Sequence, residues 1–222
     1  MPVPGLKAQV AAAIPAVFGM WEGSGLRFMY TDSKGLVTTG TGNLIDPVGV
    51  ACAIPDWVRA DGSPATQGDI VMAWGAVKGA WPKVQSTRCA GLTTLRLTPA
   101  GVTRLLMRTV AIDWAFLQRP FPRCNMWPAD AQLCILSLAW AWGPGFTRVW
   151  GDRGQSFIEL CSPPEQFSFA AQVMLDASAS EESRNPGLTP RDRGQSLMLQ
   201  NANAVNAAGA DFEKLWYPGT YT

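Results

Sequence analysis

Histidine is absent from this chain of 222 residues, and that absence excludes much of the enzyme repertoire. No Ser-His-Asp or Cys-His arrangement can form, and no His-based metal site. Cysteine is sparse and unpatterned: the five at 52, 89, 124, 134 and 161 never approach CxxC spacing, which removes zinc and redox motifs. An odd number leaves at least one free thiol or all five reduced; one or two disulfides stay open, and the cysteines read as core residues. Charge is scarce too, at 16% of residues with a net +1 and a pI near 7.6, so there is no footprint for nucleic acid or anionic lipid. No unbroken apolar run reaches the ~18 to 20 residues of a membrane-spanning helix. Glutamate is the last scarcity: Glu22 is the only one in the first 158 residues.

What is present points to a folded chain. Hydrophobic residues make up 47%, and the length suits one domain or a domain of two lobes. Ten tryptophans exceed ordinary packing needs; buried core is the expected fate of each, and some could line a groove for ring-shaped ligands. The N-terminal "AQVAAAIPAVFGMW" imitates a signal-peptide core, but a single Lys precedes it and Pro15 interrupts it. Val10, Ile14, Val17, Phe18 and Trp21 instead share one helical stripe, as in an amphipathic core helix.

Residues 26–42 read as a β-hairpin. Leu26, Phe28 and Tyr30 alternate with Arg27, Met29 and Thr31, and Asp32-Ser33-Lys34-Gly35 has turn chemistry. Val37, Thr38, Thr39 and Thr41 suit the returning strand, and Gly40 and Gly42 allow close approach or a bulge. Residues 44–67, rich in Pro, Gly and Asp, read as loop. From Gly68 onward the pattern is helical. Ile70, Trp74, Val77 and Trp81 form one face, Thr98 and then Pro99 open a second helix, and "PADAQLCILSLAWAWGPG" is a buried central helix stopped by glycine. Ser162 with Glu165 makes a capping box for the next helix, and Thr189-Pro190 opens the last. "DRGQS" occurs at 152 and at 192 with unmatched flanks, which is no structural repeat.

Glu22 then stands at a helix end facing a hairpin that offers Asp32 and Thr38. That set suits hydrolysis of a sugar–sugar bond: Glu22 as the acid, kept protonated by Phe18 and Trp21, Asp32 ionised in wetter surroundings, Thr38 holding the attacking water. Each also has a plainer use, as a solvated helix-end carboxylate, the first residue of a turn and a strand former. "GTGN" at 40–43 lacks the spacing of a phosphate loop.

The stretch "EGSGLRFMYTDSKGLVTTGTGN" resembles the phage-type lysozymes, whose pattern is Glu, eight residues, Asp or Cys, five residues, Thr, within "EG…L…Y.D..G..T.G.GH". Asp32 to Thr38 has the family gap. Glu22 to Asp32 has one residue too many, which a bulge or a longer turn around Ser24-Gly25 would absorb; Thr31 fills the strict position but has no carboxylate. Asn43 stands where the family has His. Downstream, "AQLCILSLAWAWGPGF" is similar to the family's central helix. "NPGLTPRDRGQSLML" matches its late helix only at Arg191, with Gln195 where Glu is usual.

The resemblance implies an α+β, mostly helical, lysozyme-like fold across 1–222, with a β lobe at about 24–60 and a helical lobe of 1–23 plus 61–222. It implies an endo-acting muramidase cutting the β-1,4 bond between N-acetylmuramic acid and N-acetylglucosamine in bacterial peptidoglycan, with catalytic residues Glu22, Asp32 and Thr38, Trp142 among the groove residues, and no cofactor or metal. Other readings are a lytic transglycosylase using Glu22 alone, a chitinase-like specificity, and a glycan-binding or structural virion module. The expected partners are peptidoglycan and, for an injected antibacterial effector, an immunity protein. Neither nucleic acid nor an integral membrane segment is expected, and the chain is expected to be a monomer. Without a convincing signal peptide, it would reach the wall by holin-assisted release, within a virion or by injection.

Overall fold

The computed structural model describes residues 2–22, 25–182 and 189–221, with the side chains of 180–182 excepted. Gly23, Ser24 and the "NPGL" stretch of the late helix pattern therefore lie outside the described residues. The chain is α+β and mostly helical. It divides into two compact units, Pro15–Thr109 and Met1–Ile14 with Val110–Thr222, so the sheet-bearing unit takes in more chain than the 24–60 stretch. Among the described residues no helix is long and apolar enough to cross a membrane.

The sheet-bearing unit starts within helix α1 (Ala8–Glu22) and continues into an antiparallel sheet of β1 (Leu26–Thr31), β2 (Val37–Gly40) and β3 (Asn43–Leu44), in that order. The hairpin forms where sequence chemistry puts it. Asp32 Oδ1 accepts the backbone N–H groups of Lys34 and Leu36, both at 2.8 Å, an Asx-type closure of the turn. Gly35 adopts φ +77°, and a Cβ there would lie 2.8 Å from the Trp81 ring, so only glycine fits.

The 44–67 stretch is not simply loop, as the sequence suggested. It holds α2 (Val48–Cys52) and β4 (Trp57–Val58), which pairs with β5 (Arg96–Leu97). Trp57 is buried and its indole N–H donates to Ala51 O at 3.1 Å. These elements are too short for a periodic signal; burial with Ile45, Ala51 and Ile54 against α3 (Gln67–Ala80) stabilises them instead. Helix α3 opens on a capping box of Thr66 and Asp69, and α4 (Pro99–Leu117) on Thr98, whose Oγ1 accepts the Gly101 N–H.

In the helical unit, α5 (Ala129–Trp142) is buried continuously from Ala129 to Ala139 and ends at Gly143, as its all-apolar pattern foretold. It packs against α9 (Thr189–Ala208), which packs against α8 (Phe167–Glu182); α6 (Phe146–Val149) and α7 (Asp152–Leu160) complete the unit. The few polar groups of α5 are matched. Gln132 accepts the Lys7 N–H at 2.9 Å and donates to Cys124 O at 2.9 Å, and Gln195 donates to Ser137 at 2.6 Å. Asp130 accepts from the Asn201 side chain and from the backbone N–H groups of Trp216 and Tyr217, all within 3.0 Å.

The capping box expected at Ser162 and Glu165 does not form: α8 begins only at Phe167, and the Ser162 hydroxyl donates back to Ile158 O at 2.8 Å. Pro164 disfavours helical backbone at Pro163, which would be the first helical residue after a Ser162 cap. The two DRGQS pentamers both lie in helices, one largely exposed and one largely buried, which fits the reading that they are no repeat. All five cysteines are free, four of them buried.

Two buried aspartates make the helical unit testable. Asp130→Ala leaves three donors without an acceptor and should cost about 3 kcal/mol or more in denaturant unfolding, with proteolysis near Trp216 enhanced. Asp113 in α4 is lifted by burial to about 6, above its unfolded value, so its contribution is fully present at low pH and is lost as pH rises through 6. Asp113→Asn should therefore stabilise the protein at neutral pH by about 2–3 kcal/mol and change little below about pH 4.

Candidate functional site

The sheet-bearing unit contains Glu22, Asp32 and Thr38. Glu22 is the last residue of α1, on the helix whose stripe of Val10, Ile14, Val17 and Phe18 is buried and whose Trp21 is half-buried. Glu22 itself is exposed. It is therefore not enclosed as the sequence suggested for this acid. Asp32 is half-buried at the turn and spends Oδ1 on the two turn N–H groups, while Oδ2 takes neither. Thr38 is buried, and its hydroxyl donates to Leu36 O at 3.2 Å.

One residue that sequence reasoning treated only as a strand residue connects the three. Tyr30 is the cross-strand Cα partner of Thr38, so their side chains share a face of the hairpin. Burial first, then the negative charges of Glu22 and Asp32, push its phenol up to about 12, against the Gly42 N–H that donates to it. Both carboxylates therefore lie within electrostatic reach of one phenol that is level with Thr38. The neighbouring pair, Thr31 and Val37, faces the other way and is fully buried; Thr31 donates to Val84 O at 3.4 Å. The strict family spacing would fall on Thr31, and this residue is inside the core.

The register explains the parity. Leu26 pairs with Gly40 and Tyr30 with Thr38, so three residues of β1 stand opposite Thr39 alone. This is a β-bulge inside the strand, whereas the sequence reading also allowed a longer turn around Ser24-Gly25. The Thr39 hydroxyl, fully buried, lies at this irregularity, 3.1 Å from Phe28 O and 3.4 Å from Leu26 O, and its one proton is shared between them. Gly40, at φ +61°, leaves only 2.9 Å between a would-be Cβ and Asn43 Oδ1. Asn43, where the family has His, is buried and donates to Thr109 at 3.0 Å.

Comparison with family models, curated proteins and solved structures returns no match.

The turn bearing Asp32 is clamped to the end of α3. Lys78 Nζ donates to Gly35 O at 2.8 Å and pairs with Asp46 at 2.6 Å, and Asp46 also accepts the Val37 N–H. The Lys78 hydrogen bond holds the Asp46 carboxyl below its usual value. Trp81 covers Gly35 but does not continue the α3 stripe as its spacing suggested. As the C-cap it has ψ 142°, so helical periodicity no longer sets its direction, and it is 42% exposed. Trp142 packs edge to face on Trp150 within the helical unit. A cavity of about 630 Å³ also opens in the sheet-bearing unit, between Arg59, Asp69, Met72 and the 91–95 segment; none of the three candidate residues lines it. Among the described residues, no cluster of three or more acidic or cysteine side chains could hold a metal ion.

The convergence on Tyr30 can be tested without any substrate. Glu22→Gln and Asp32→Asn should each lower the Tyr30 pKa below about 12, because removing a negative neighbour eases formation of the phenolate. Burial, the larger cause, should keep it above the ordinary ~10 in both. Phenolate absorbance, with Tyr30→Phe to assign the transition, reads this directly; a Tyr30 titration indifferent to both substitutions would show that the carboxylates do not face it.

Proposed function

We propose that this chain is a peptidoglycan hydrolase, an endo-acting muramidase in which Glu22 protonates the leaving glycosidic oxygen and Asp32 and Thr38 position water. The observation that carries the reading is that the negative charges of Glu22, at a helix end, and Asp32, at a hairpin turn, both act on the phenol of Tyr30, the cross-strand partner of Thr38. An exposed Glu22 suits an acid that must reach a polymer.

A second reading has an observation of its own. Asp32 Oδ1 and the Thr38 proton are both committed to the hairpin backbone, which favours chemistry by Glu22 alone, as in a lytic transglycosylase. There, Glu22 would donate its proton to the leaving oxygen and then take one from the muramic 6-hydroxyl as that oxygen closes on C1.

Mass spectrometry of digested peptidoglycan separates the two, since hydrolysis leaves reducing ends and transglycosylation leaves anhydro ends. Glu22→Gln should reduce fragment release by about 10²- to 10⁴-fold. Asp32→Asn is the discriminating variant because an amide oxygen still accepts the Lys34 and Leu36 N–H groups, keeping the turn while removing the charge. It should cripple a hydrolase and spare a transglycosylase. If wild type releases no fragments at all, both readings fail and a glycan-binding or structural role takes their place.

A further inference from the structure

Of the ten tryptophans nine are buried or half-buried, and only Trp81 is exposed. It caps α3 at the hairpin turn that carries Asp32. The Cβ position built on Gly35 lies 2.8 and 2.9 Å from Cδ2 and Cε2 of the indole and 3.2 Å from Cε3. Cδ2 and Cε2 are the fusion atoms, interior to the bicycle, and an atom comes that close to both only from above the ring plane. Gly35 therefore lies against one face of the indole, while the residue as a whole is 42% exposed.

The backbone beneath the ring is anchored. The backbone N–H of Trp81 donates to Lys78 O, the Lys78 ammonium donates to Gly35 O at 2.8 Å, and Gly35 N–H donates to Asp32 O at 3.1 Å. Hydrogen bonds thus link the end of α3 through Lys78 and Gly35 to the backbone carbonyl of Asp32. An indole left partly exposed against the turn that carries Asp32 offers apolar surface that a ligand can bury.

We propose that Trp81 is the sugar-stacking residue of this site, its open indole surface taking the C–H face of one pyranose ring in a β-1,4-linked N-acetylhexosamine chain. The inference rests on the glycan-directed reading above. In such a chain the ring substituents are equatorial, so the axial C–H bonds form small apolar patches with a slight positive charge, matched to the negative face of an aromatic ring. Stacking against a ring whose backbone is anchored to the turn contributes to positioning the glycan on the Asp32 side.

The probe is the soluble β-1,4-linked tetramer of N-acetylglucosamine, titrated into the full-length protein while the indole N–H resonances are followed, with Trp81→Phe to assign the signal. The Trp81 resonance should shift saturably. Trp81→Ala should weaken tetramer binding about tenfold (about 1.4 kcal/mol) and raise the KM for peptidoglycan fragment release while leaving kcat unchanged. Trp81→Phe, which keeps an aromatic face, should recover most of the loss. Because the wild-type resonance reports by itself, the test survives an alanine variant that fails to fold. Tetramer binding with an unmoved Trp81 signal, or no tetramer binding at all, overturns the stacking role whatever the peptidoglycan digest shows. A responsive Trp81 in a protein that releases no fragments keeps the stacking role and removes the catalytic reading.

Discussion

The hairpin depends on one irregularity in its pairing, three residues of β1 set against Thr39. Side chains alternate across a strand, so register decides which of them face the core, and a slip of one residue exchanges the two faces. The excess is two residues, so the facing is kept on both sides of it: Thr31 and Val37 are sealed inside, Tyr30 and Thr38 share the opposite face, and Asp32 falls at the turn. Thr39 supports the arrangement by donating its hydroxyl to strand carbonyls at the irregularity, a contribution of about 1 kcal/mol. Gly40, where the ribbon turns toward β3, accepts a backbone conformation that side-chain-bearing residues avoid.

Several side chains in this region serve two masters. Asp32 closes the turn with one oxygen and projects its charge to Tyr30. Lys78 neutralises Asp46 and also holds the Gly35 carbonyl, so one ammonium ties the turn, the start of β2 and the end of α3 together. Such sharing makes alanine substitutions here poor reporters, since they remove structure and chemistry at once; amide-for-carboxylate changes keep the acceptor and separate the two.

Much of the fold was legible because the relevant interactions are local. Asp32 and Gly35 announce their turn, Thr98 with Pro99 announces α4, and the run from Leu133 to Trp142 announces a helix with no side toward water. What was not legible depends on distant partners. The two-residue strand at Trp57 exists because Arg96 and Leu97 arrive to pair with it, and α2 because α3 covers it. Trp81 looked like the next residue of an apolar stripe until the chain left helical geometry beneath it. Ser162 had the right partner spacing for a cap, and two prolines displaced the helix start. For the candidate site, sequence supplied Glu22, Asp32 and Thr38 but misjudged the cover on Glu22, and it gave Tyr30 no part because coupling between charges leaves no spacing to read.

The helical unit carries a consequence for how the protein is made. Asp130 stands in the first turn of its central helix, and two of the N–H groups that satisfy it, from Trp216 and Tyr217, lie 86 and 87 residues further along the chain. At translation rates of roughly 5–20 residues per second, a nascent chain holds that carboxylate without its partners for on the order of ten seconds. The central helix can form early, but its buried charge cannot be accommodated until residues 216 and 217 have emerged. Closure of this unit is thereby deferred until after those residues leave the ribosome.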